Sequence, residues 1–176
     1  MRKQRAINRM LALLGLVLLS WQCTAGESLP KGIMKLDGRA APALVLEDMD
    51  GQAWDIGEAR GRWVFVHFWA AWCRPCRREM PTIQAIYPQF DVDELEIVII
   101  NTAESEDTVF EFLAAVAPDL NPLMDNDGLA TERWQPRGLP ATFLVDPAGR
   151  LQYLALGGRP WDSPEYMKFL RQLSEK

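Results

Sequence analysis

The sequence predicts an α/β fold in which a central mixed β-sheet is flanked by helices on both faces. Residues 63–69 and 95–100 are almost entirely apolar and rich in β-branched and aromatic side chains, which is typical of strands buried on both faces. Residues 142–145 and 151–156 predict two further strands, and the turn residues 146–149 between them predict a hairpin. Because strands alternate with helices before this hairpin, we expect a mixed sheet.

Shorter patterns account for most of the remaining chain. Residues 44–46 and 53–55 predict a small hairpin around the turn at Gly51, and residues 123–124 predict a short strand. Apolar side chains on one face predict four helices. The first helix begins at the Cys76 turn. The other three occupy residues 106–117 (with Ser105 as N-cap), 129–134 and 164–174.

The length of 176 residues suits one domain with short extensions. We assign residues 42–176 to that domain, residues 26–41 to a linker, and residues 1–25 to a signal peptide or membrane-targeting segment. The net charge is −5, and removing the four basic residues that precede Met10 takes it from −5 to −9. Because phosphate binding requires clustered Lys and Arg, this acidic body argues against nucleic acid as a partner.

The N-terminal segment predicts export. Residues 10–21 form an apolar run that is short for a membrane span, which needs roughly 20 residues, but suits a secretory signal. Small side chains around Ala25 offer a cleavage site after that residue. Two alternatives stay open: acylation of Cys23, as in a bacterial lipoprotein, and an uncut segment that anchors the chain in the membrane. All three place the folded domain in the periplasm or otherwise outside the cytoplasmic membrane.

The residues Cys73-Arg74-Pro75-Cys76 follow a buried strand and open a helix. The unpaired N–H groups and the dipole of a helix N-terminus stabilise a thiolate, which is the nucleophile in disulfide exchange. We therefore predict that Cys73 attacks a partner and that Cys76, within the first helical turn, resolves the mixed disulfide. Arg74 adds positive charge nearby, and Pro75 stiffens the turn.

Two other interpretations of the cysteine pair are weaker. A zinc site needs four ligands, and besides the pair the chain offers only Cys23 and His67, so we predict no metal site. A purely structural disulfide would close a very small loop and remove little entropy from the unfolded chain. A redox role explains the pair better.

A second motif, Gly138-Leu139-Pro140-Ala141-Thr142-Phe143, opens a predicted strand. Proline is tolerated in sheets at strand starts, so by itself Pro140 is weak evidence of function. Residues 68–76, however, match the active-site strand and turn of the thioredoxin superfamily. Taken together, this segment and the motif at Pro140 resemble that superfamily. The resemblance covers residues 40–175 and implies a thioredoxin-like fold, with Pro81 inside the active-site helix. It also implies a cis-proline at Pro140.

Within the superfamily, the chain is similar to the exported TlpA/ResA/DsbE-like branch. The features that carry this similarity are the N-terminal β-hairpin, a central insertion over residues 101–133, and the residues 77–81 and 138–146. The branch implies reduction of disulfides in partner proteins, as in cytochrome c maturation or copper-centre assembly, with a membrane thiol reductase as electron donor. It implies no cofactor beyond the redox-active disulfide. The substrate-binding residues implied are Trp72, Arg74, Pro75, Leu139 and Pro140.

Two residues are candidates for proton transfer. Glu79 matches a carboxylate that some members of the branch keep near the active site, and the alternative is a solvated helix residue. His67, the chain's one histidine, lies where this branch often has Asn. It could move protons for Cys76, since the ordinary pKa of histidine is about 6.5. The alternative is a neutral core histidine that is hydrogen-bonded.

Three alternative functions would place different demands on the cysteine pair and its surroundings. Cys-x-x-Cys does not define a redox direction, so an oxidising or isomerising enzyme stays open. A copper or haem-assembly chaperone with a thioredoxin fold would use two cysteines and a distant histidine, and no histidine follows the pair. A peroxidase would need a single peroxidatic cysteine in a different loop, which the sequence lacks.

Overall fold

A computed structural model describes residues 28–175, and a mixed β-sheet forms the centre of the molecule. The strands are β1 (Ile33–Lys35), β2 (Val45–Glu47), β3 (Ala53–Asp55), β4 (Trp63–Trp69), β5 (Leu95–Thr102), β6 (Leu123–Asp125), β7 (Ala141–Val145) and β8 (Leu151–Leu156). Six of them form the central sheet in the order β1-β8-β7-β4-β5-β6, and β2 and β3 form a separate hairpin.

Residues 28–175 contain four α-helices, of which the first three connect strands and the last follows β8. They are α1 (Arg74–Ile86), α2 (Glu106–Val116), α3 (Leu129–Trp134) and α4 (Pro164–Ser174). Two short 3₁₀ helices lie at Ile56–Ala59 and Tyr87–Gln89. Ser105 caps α2 as predicted, because its hydroxyl accepts a hydrogen bond from the Thr108 N–H at 3.4 Å. Within residues 28–175, no helix is long and apolar enough to cross a membrane.

Strand β4 lies between a parallel and an antiparallel neighbour. It pairs in parallel with β5, which it reaches through α1, and antiparallel with β7, where Phe68 lies opposite Ala141. The parallel pair requires a crossover connection, whereas β7 and β8 form an antiparallel hairpin. The carboxyl end of β4 and the beginning of β7 therefore meet at one edge of the sheet, and that edge holds the candidate site.

The apolar side chains form two clusters, one on each face of the sheet. One face of β4 carries Phe65 and Trp69 and packs against helices α1, α2 and α4. The other face carries Val66 and Phe68 and packs against α3 and the segment around the β2–β3 hairpin. Leu139 packs against both clusters. Burial on both faces explains the continuous apolar run in β4, and the predicted α/β fold with helices on both faces is confirmed.

The structure corrects the predicted linker over residues 26–41. Its described part contains β1, which pairs antiparallel with β8 as an edge strand of the main sheet, from Ile33 opposite Ala155 to Lys35 opposite Tyr153. This strand is held by backbone hydrogen bonds, and only Ile33 of its three residues is buried. The predicted targeting segment, residues 1–25, lies outside the described residues.

Candidate active site

Cys73 and Cys76 form a disulfide at the beginning of α1. Strand β4 ends at Trp69, a tight turn follows in which the Cys73 N–H donates to the Ala70 carbonyl at 3.1 Å, and Cys73 is the N-cap of the helix. The Cys73 Sγ accepts a hydrogen bond from the Cys76 N–H at 3.2 Å. This donor and the positive end of the helix dipole both favour negative charge on Cys73.

The two cysteines differ in their exposure to solvent. Cys76 is completely buried, with 0% of its surface exposed to solvent, whereas 4% of the surface of Cys73 is exposed. The neighbouring Trp72 is 70% exposed, although large aromatic side chains usually lie mostly in the interior. A partner molecule can therefore reach Cys73 first, next to an apolar surface that Trp72 provides.

The segment around Pro140 lies beside this turn. The Leu139–Pro140 peptide bond is cis, as the resemblance implies. The Pro140 carbonyl accepts a hydrogen bond from the Gly157 N–H at 2.8 Å. The next residue, Gly158, lies close to the active-site helix, because a Cβ built on it would be 3.5 Å from the Pro75 carbonyl oxygen. The predicted substrate-binding residues therefore share one edge of the molecule, while their roles stay predictions.

Glu79 lies one helical turn after Cys76 and is buried. The predicted alternative of a solvated helix residue is therefore wrong. One carboxylate oxygen, Oε1, accepts hydrogen bonds from the Arg159 N–H at 3.0 Å and from the Trp161 indole N–H at 2.5 Å. The other, Oε2, has no hydrogen-bond partner. Burial raises the pKa of Glu79 from 4.5 to about 7, and the two hydrogen bonds and the Arg159 charge oppose this increase.

His67 lies on β4 and faces Glu79. It is fully buried, and its Nδ1 is 2.8 Å from the Thr142 hydroxyl on the adjacent strand. Burial lowers the pKa of His67 to about 3, so the imidazole is neutral. Its Nε2 lies 3.9 Å from Glu79 Oε2, and neither atom has a hydrogen-bond partner. This contact is not an ion pair, because the imidazole carries no charge at neutral pH.

Sequence reasoning missed three residues that hold the site in place. Arg159 and Trp161 follow β8 and hold Glu79 in position, although Trp161 is 82 residues from it in the chain. Glu104 Oε2 accepts hydrogen bonds from the Ala71 N–H at 2.6 Å and from the Asn101 side chain at 2.8 Å. It therefore anchors the turn that precedes Cys73. No local pattern in the sequence marks these residues, because each contact depends on the tertiary fold.

Metal binding is the other role that the sequence left open for the cysteine pair. Between residues 28 and 175, no three or more His, Cys, Asp or Glu side chains come together as a possible set of metal ligands. The zinc and copper alternatives therefore have no ligand set in this part of the chain, and Cys23 lies outside it.

A family model described as the AhpC/TSA family matches residues 38–154, which include both cysteines and Pro140. The chain belongs to the AhpC/TSA family. Among relatives in this family, the thiol–disulfide oxidoreductase ResA of Bacillus subtilis (strain 168) is 32% identical over 121 residues, covering 69% of this chain and 68% of its own. ResA of Geobacillus thermodenitrificans (strain NG80-2) is 30% identical over 157 residues, covering 89% and 90%.

Solved structures agree with this assignment. A proposed thiol:disulfide interchange protein DsbE from Chlorobium tepidum matches with a TM-score of 0.69 and 25% identity, covering 85% of this chain and 100% of its own. StoA from Bacillus subtilis matches with a TM-score of 0.61 over 76% of this chain and 95% of its own, and its 22% identity supports the fold alone. This AhpC/TSA family member is an enzyme, a thiol–disulfide oxidoreductase of the ResA/DsbE type with a thioredoxin-like fold.

Proposed function

We propose that the chain reduces disulfides of partner proteins outside the cytoplasm, with Cys73 as the attacking thiol and Cys76 as the resolving thiol. The observation that carries this assignment is the asymmetry of the pair. Cys73 caps a helix, accepts the Cys76 N–H and retains some exposure, whereas Cys76 is completely enclosed. A large partner can approach the first sulfur and not the second.

The proposed cycle moves two electrons from the dithiol to the partner. The Cys73 thiolate attacks one sulfur of the partner disulfide, the partner S–S bond breaks, and the released partner thiolate takes up a proton. Cys76 then loses its proton and attacks Cys73 Sγ. The mixed disulfide breaks, the second partner thiolate takes up a proton, and the Cys73–Cys76 disulfide forms. A dithiol donor must reduce that disulfide again, and we propose a membrane thiol reductase for this step.

Glu79 is proposed to accept the proton that Cys76 loses. It lies three residues after Cys76 on α1, so the two side chains share a helix face. A carboxyl group with a pKa of about 7 exchanges protons readily near neutral pH. His67 is proposed to act through Glu79 as a positioning residue, since its imidazole stays neutral and its Nε2 faces Glu79 Oε2.

The location is proposed on sequence grounds. The basic N-terminus and apolar run of residues 1–25 support export, with cleavage after Ala25, acylation of Cys23 or retention as an anchor as the three forms. A reporter enzyme that is active only after export, fused after Lys176, measures this directly. Activity that depends on residues 1–25 supports export, and activity confined to cytoplasmic reporters contradicts it.

The direction of the reaction is tested by equilibrating the full-length chain with a redox buffer, with Cys73→Ser as control. A reduction potential near or below roughly −270 mV supports a reductase, and one near roughly −120 mV means that the pair oxidises its partners. Trapping tests the assignment of the two thiols. Cys76→Ser should accumulate a mixed disulfide with a disulfide-containing peptide, and Cys73→Ser should not. The reverse pattern would exchange the two roles.

A further inference from the structure

Arginine is frequent in the chain around the disulfide. Three of the segments that border the site are residues 74–89 on and after α1, residues 133–145 leading into and through β7, and residues 157–161 after β8. Together they contain six arginines and one carboxylate, Glu79, which is buried. Four of these arginines are exposed and lie near the cysteines or near Leu139–Pro140 in the chain. We call them the arginine face: Arg74, Arg77, Arg78 and Arg137.

This concentration of positive charge contrasts with the net charge of −5 for the whole chain. Among the described residues, none of the four arginines lies within 4.0 Å of a carboxylate. Arg77 stacks its guanidinium 4.7 Å from the centre of the Phe112 ring, which orients it without neutralising it. The charges on this face are therefore available to a partner.

Local stability opposes this arrangement. Arg74 and Arg78 are four residues apart on α1, so two like charges lie on one helix face. All three arginines of α1 lie near its N-terminus, where the helix dipole disfavours positive charge, and the first turn contains no acidic residue. Arg137 adopts a left-handed φ of 63°, which is unusual for a residue other than glycine. Departures from local preference are expected where function requires them.

Trp72 provides the apolar part of the same surface. Trp and Arg are both enriched in the energetically important parts of protein–protein interfaces. An exposed Trp next to the attacking sulfur, bordered by unpaired arginines, has the composition of a docking surface for a polypeptide. A polypeptide also supplies the disulfide that the chemistry needs, whereas a lipid surface does not.

We propose that the arginine face selects partner proteins whose reacting disulfide is flanked by acidic side chains. This inference deepens the proposed function and rests on it. Negative charge is present at one border of the site, where Glu104 is held by Ala71 and where Glu106 and Asp107 begin α2. The acidic flank of the partner is therefore expected to lie across α1 and Arg137, away from the acidic first turn of α2.

The test uses three synthetic peptides that contain the same disulfide loop, flanked by glutamates, by glutamines or by lysines. The reduced full-length chain is mixed with each peptide in a stopped-flow instrument, and the fluorescence change gives the second-order rate constant. At about 0.01 M ionic strength the screening length is about 30 Å, and at about 1 M it is about 3 Å. We expect the glutamate peptide to react about tenfold faster than the glutamine peptide at low salt. At high salt this ratio should approach one.

The variants Arg78→Gln and Arg137→Gln, singly and together, should reduce the ratio of the rate constant for the glutamate peptide to that for the glutamine peptide at low salt. Arg150→Gln is the matched control, because Arg150 is exposed and precedes β8 at the opposite end of the sheet from Pro140. Equal rates for the three peptides at low salt would overturn the inference while leaving the proposed function intact. Absence of exchange with all three peptides would instead contradict the proposed function.

A second measurement separates a protein partner from a membrane surface. The chain is sedimented with vesicles that contain anionic phospholipid and with vesicles that contain neutral phospholipid only. Residues 1–25 can bind either kind of vesicle, so the parent chain is compared with the variant that carries both Arg78→Gln and Arg137→Gln, and we expect the two to bind equally. If the arginines were required for binding to anionic vesicles, and the peptides reacted at equal rates, the face would serve a lipid surface and the inference would be overturned.

Discussion

Replacing Glu79 with Gln tests the buried carboxyl group through the stability of the oxidised chain. Glutamine keeps the oxygen that accepts the Arg159 and Trp161 N–H groups, and it cannot ionise. The oxidised form is chosen because Cys73 and Cys76 do not titrate while they are joined. The change therefore isolates the ionisation of a single group.

The magnitude follows from the pKa of Glu79 in the folded chain, about 7, against its ordinary value of 4.5. Between these pH values the folded chain keeps a proton that the unfolded chain releases. The contribution of Glu79 to the free energy of unfolding therefore falls as pH rises through this window and is constant above it. A tenfold change in the proton equilibrium corresponds to about 1.4 kcal/mol, so the loss amounts to about 3 kcal/mol.

Urea unfolding of the oxidised chain and of Glu79→Gln at several pH values between about 4 and 8 measures this loss. Relative to the parent chain, Glu79→Gln should gain about 3 kcal/mol between the acid and neutral ends of the range. Glu111→Gln, which makes the same change on the exposed side of α2, is the control and should show no such gain. A difference between Glu79→Gln and the parent that stays constant with pH would refute the raised pKa.

Two further predictions concern the surroundings of Glu79, and a third concerns another buried carboxylate, Asp125. Trp161→Phe removes the indole donor to Glu79, so the pKa of Glu79 should increase further, and urea unfolding should show the pH-dependent loss of stability extending to higher pH. His67→Asn alters the contact at Glu79 Oε2, so the pH profile of exchange with a disulfide peptide should shift; an unchanged profile would remove His67 from the mechanism. Asp125→Asn weakens three hydrogen bonds that its buried carboxylate accepts from Ala130 and Thr131 at the beginning of α3, and urea denaturation should show a destabilisation of about 2 kcal/mol.

The fold could be predicted because its central strands are distinctive in composition. In β4 and in residues 95–100 of β5, which are largely buried, all but one residue of each segment are apolar, so the pattern is visible without any knowledge of the neighbouring strands. The turn at Cys73 and the proline at residue 140 then located the site. Their separation along the chain is large, and only the antiparallel pairing of β4 with β7 brings them to one edge.

Strand β1 could not be predicted from its residues. It is three residues long, too short for a period of two to be recognised, and Met34 and Lys35 are exposed. Its position depends on the backbone groups that β8 offers at the edge of the sheet. Composition does not encode such an interaction.

The environment of Glu79 could not be predicted from the sequence either. The resemblance implied a carboxylate near the active site, but a glutamate after two arginines has the pattern of an exposed helix surface. Arg159 and Trp161 enclose it after β8 returns to this edge. The burial of His67 was expected from its place in an apolar strand, whereas its 3.9 Å approach to Glu79 depends on how α1 packs on β4.

The position of Leu139 between the two apolar clusters has a consequence for association with a partner. Because its side chain is held by packing from both faces of the sheet, the backbone that precedes Pro140 has little freedom to lose when another chain aligns with it. A surface that is rigid before contact lowers the entropic cost of association, and more of the contact energy remains as affinity. Enlarging or shrinking this side chain would therefore weaken a partner's affinity even where the partner touches only the main chain.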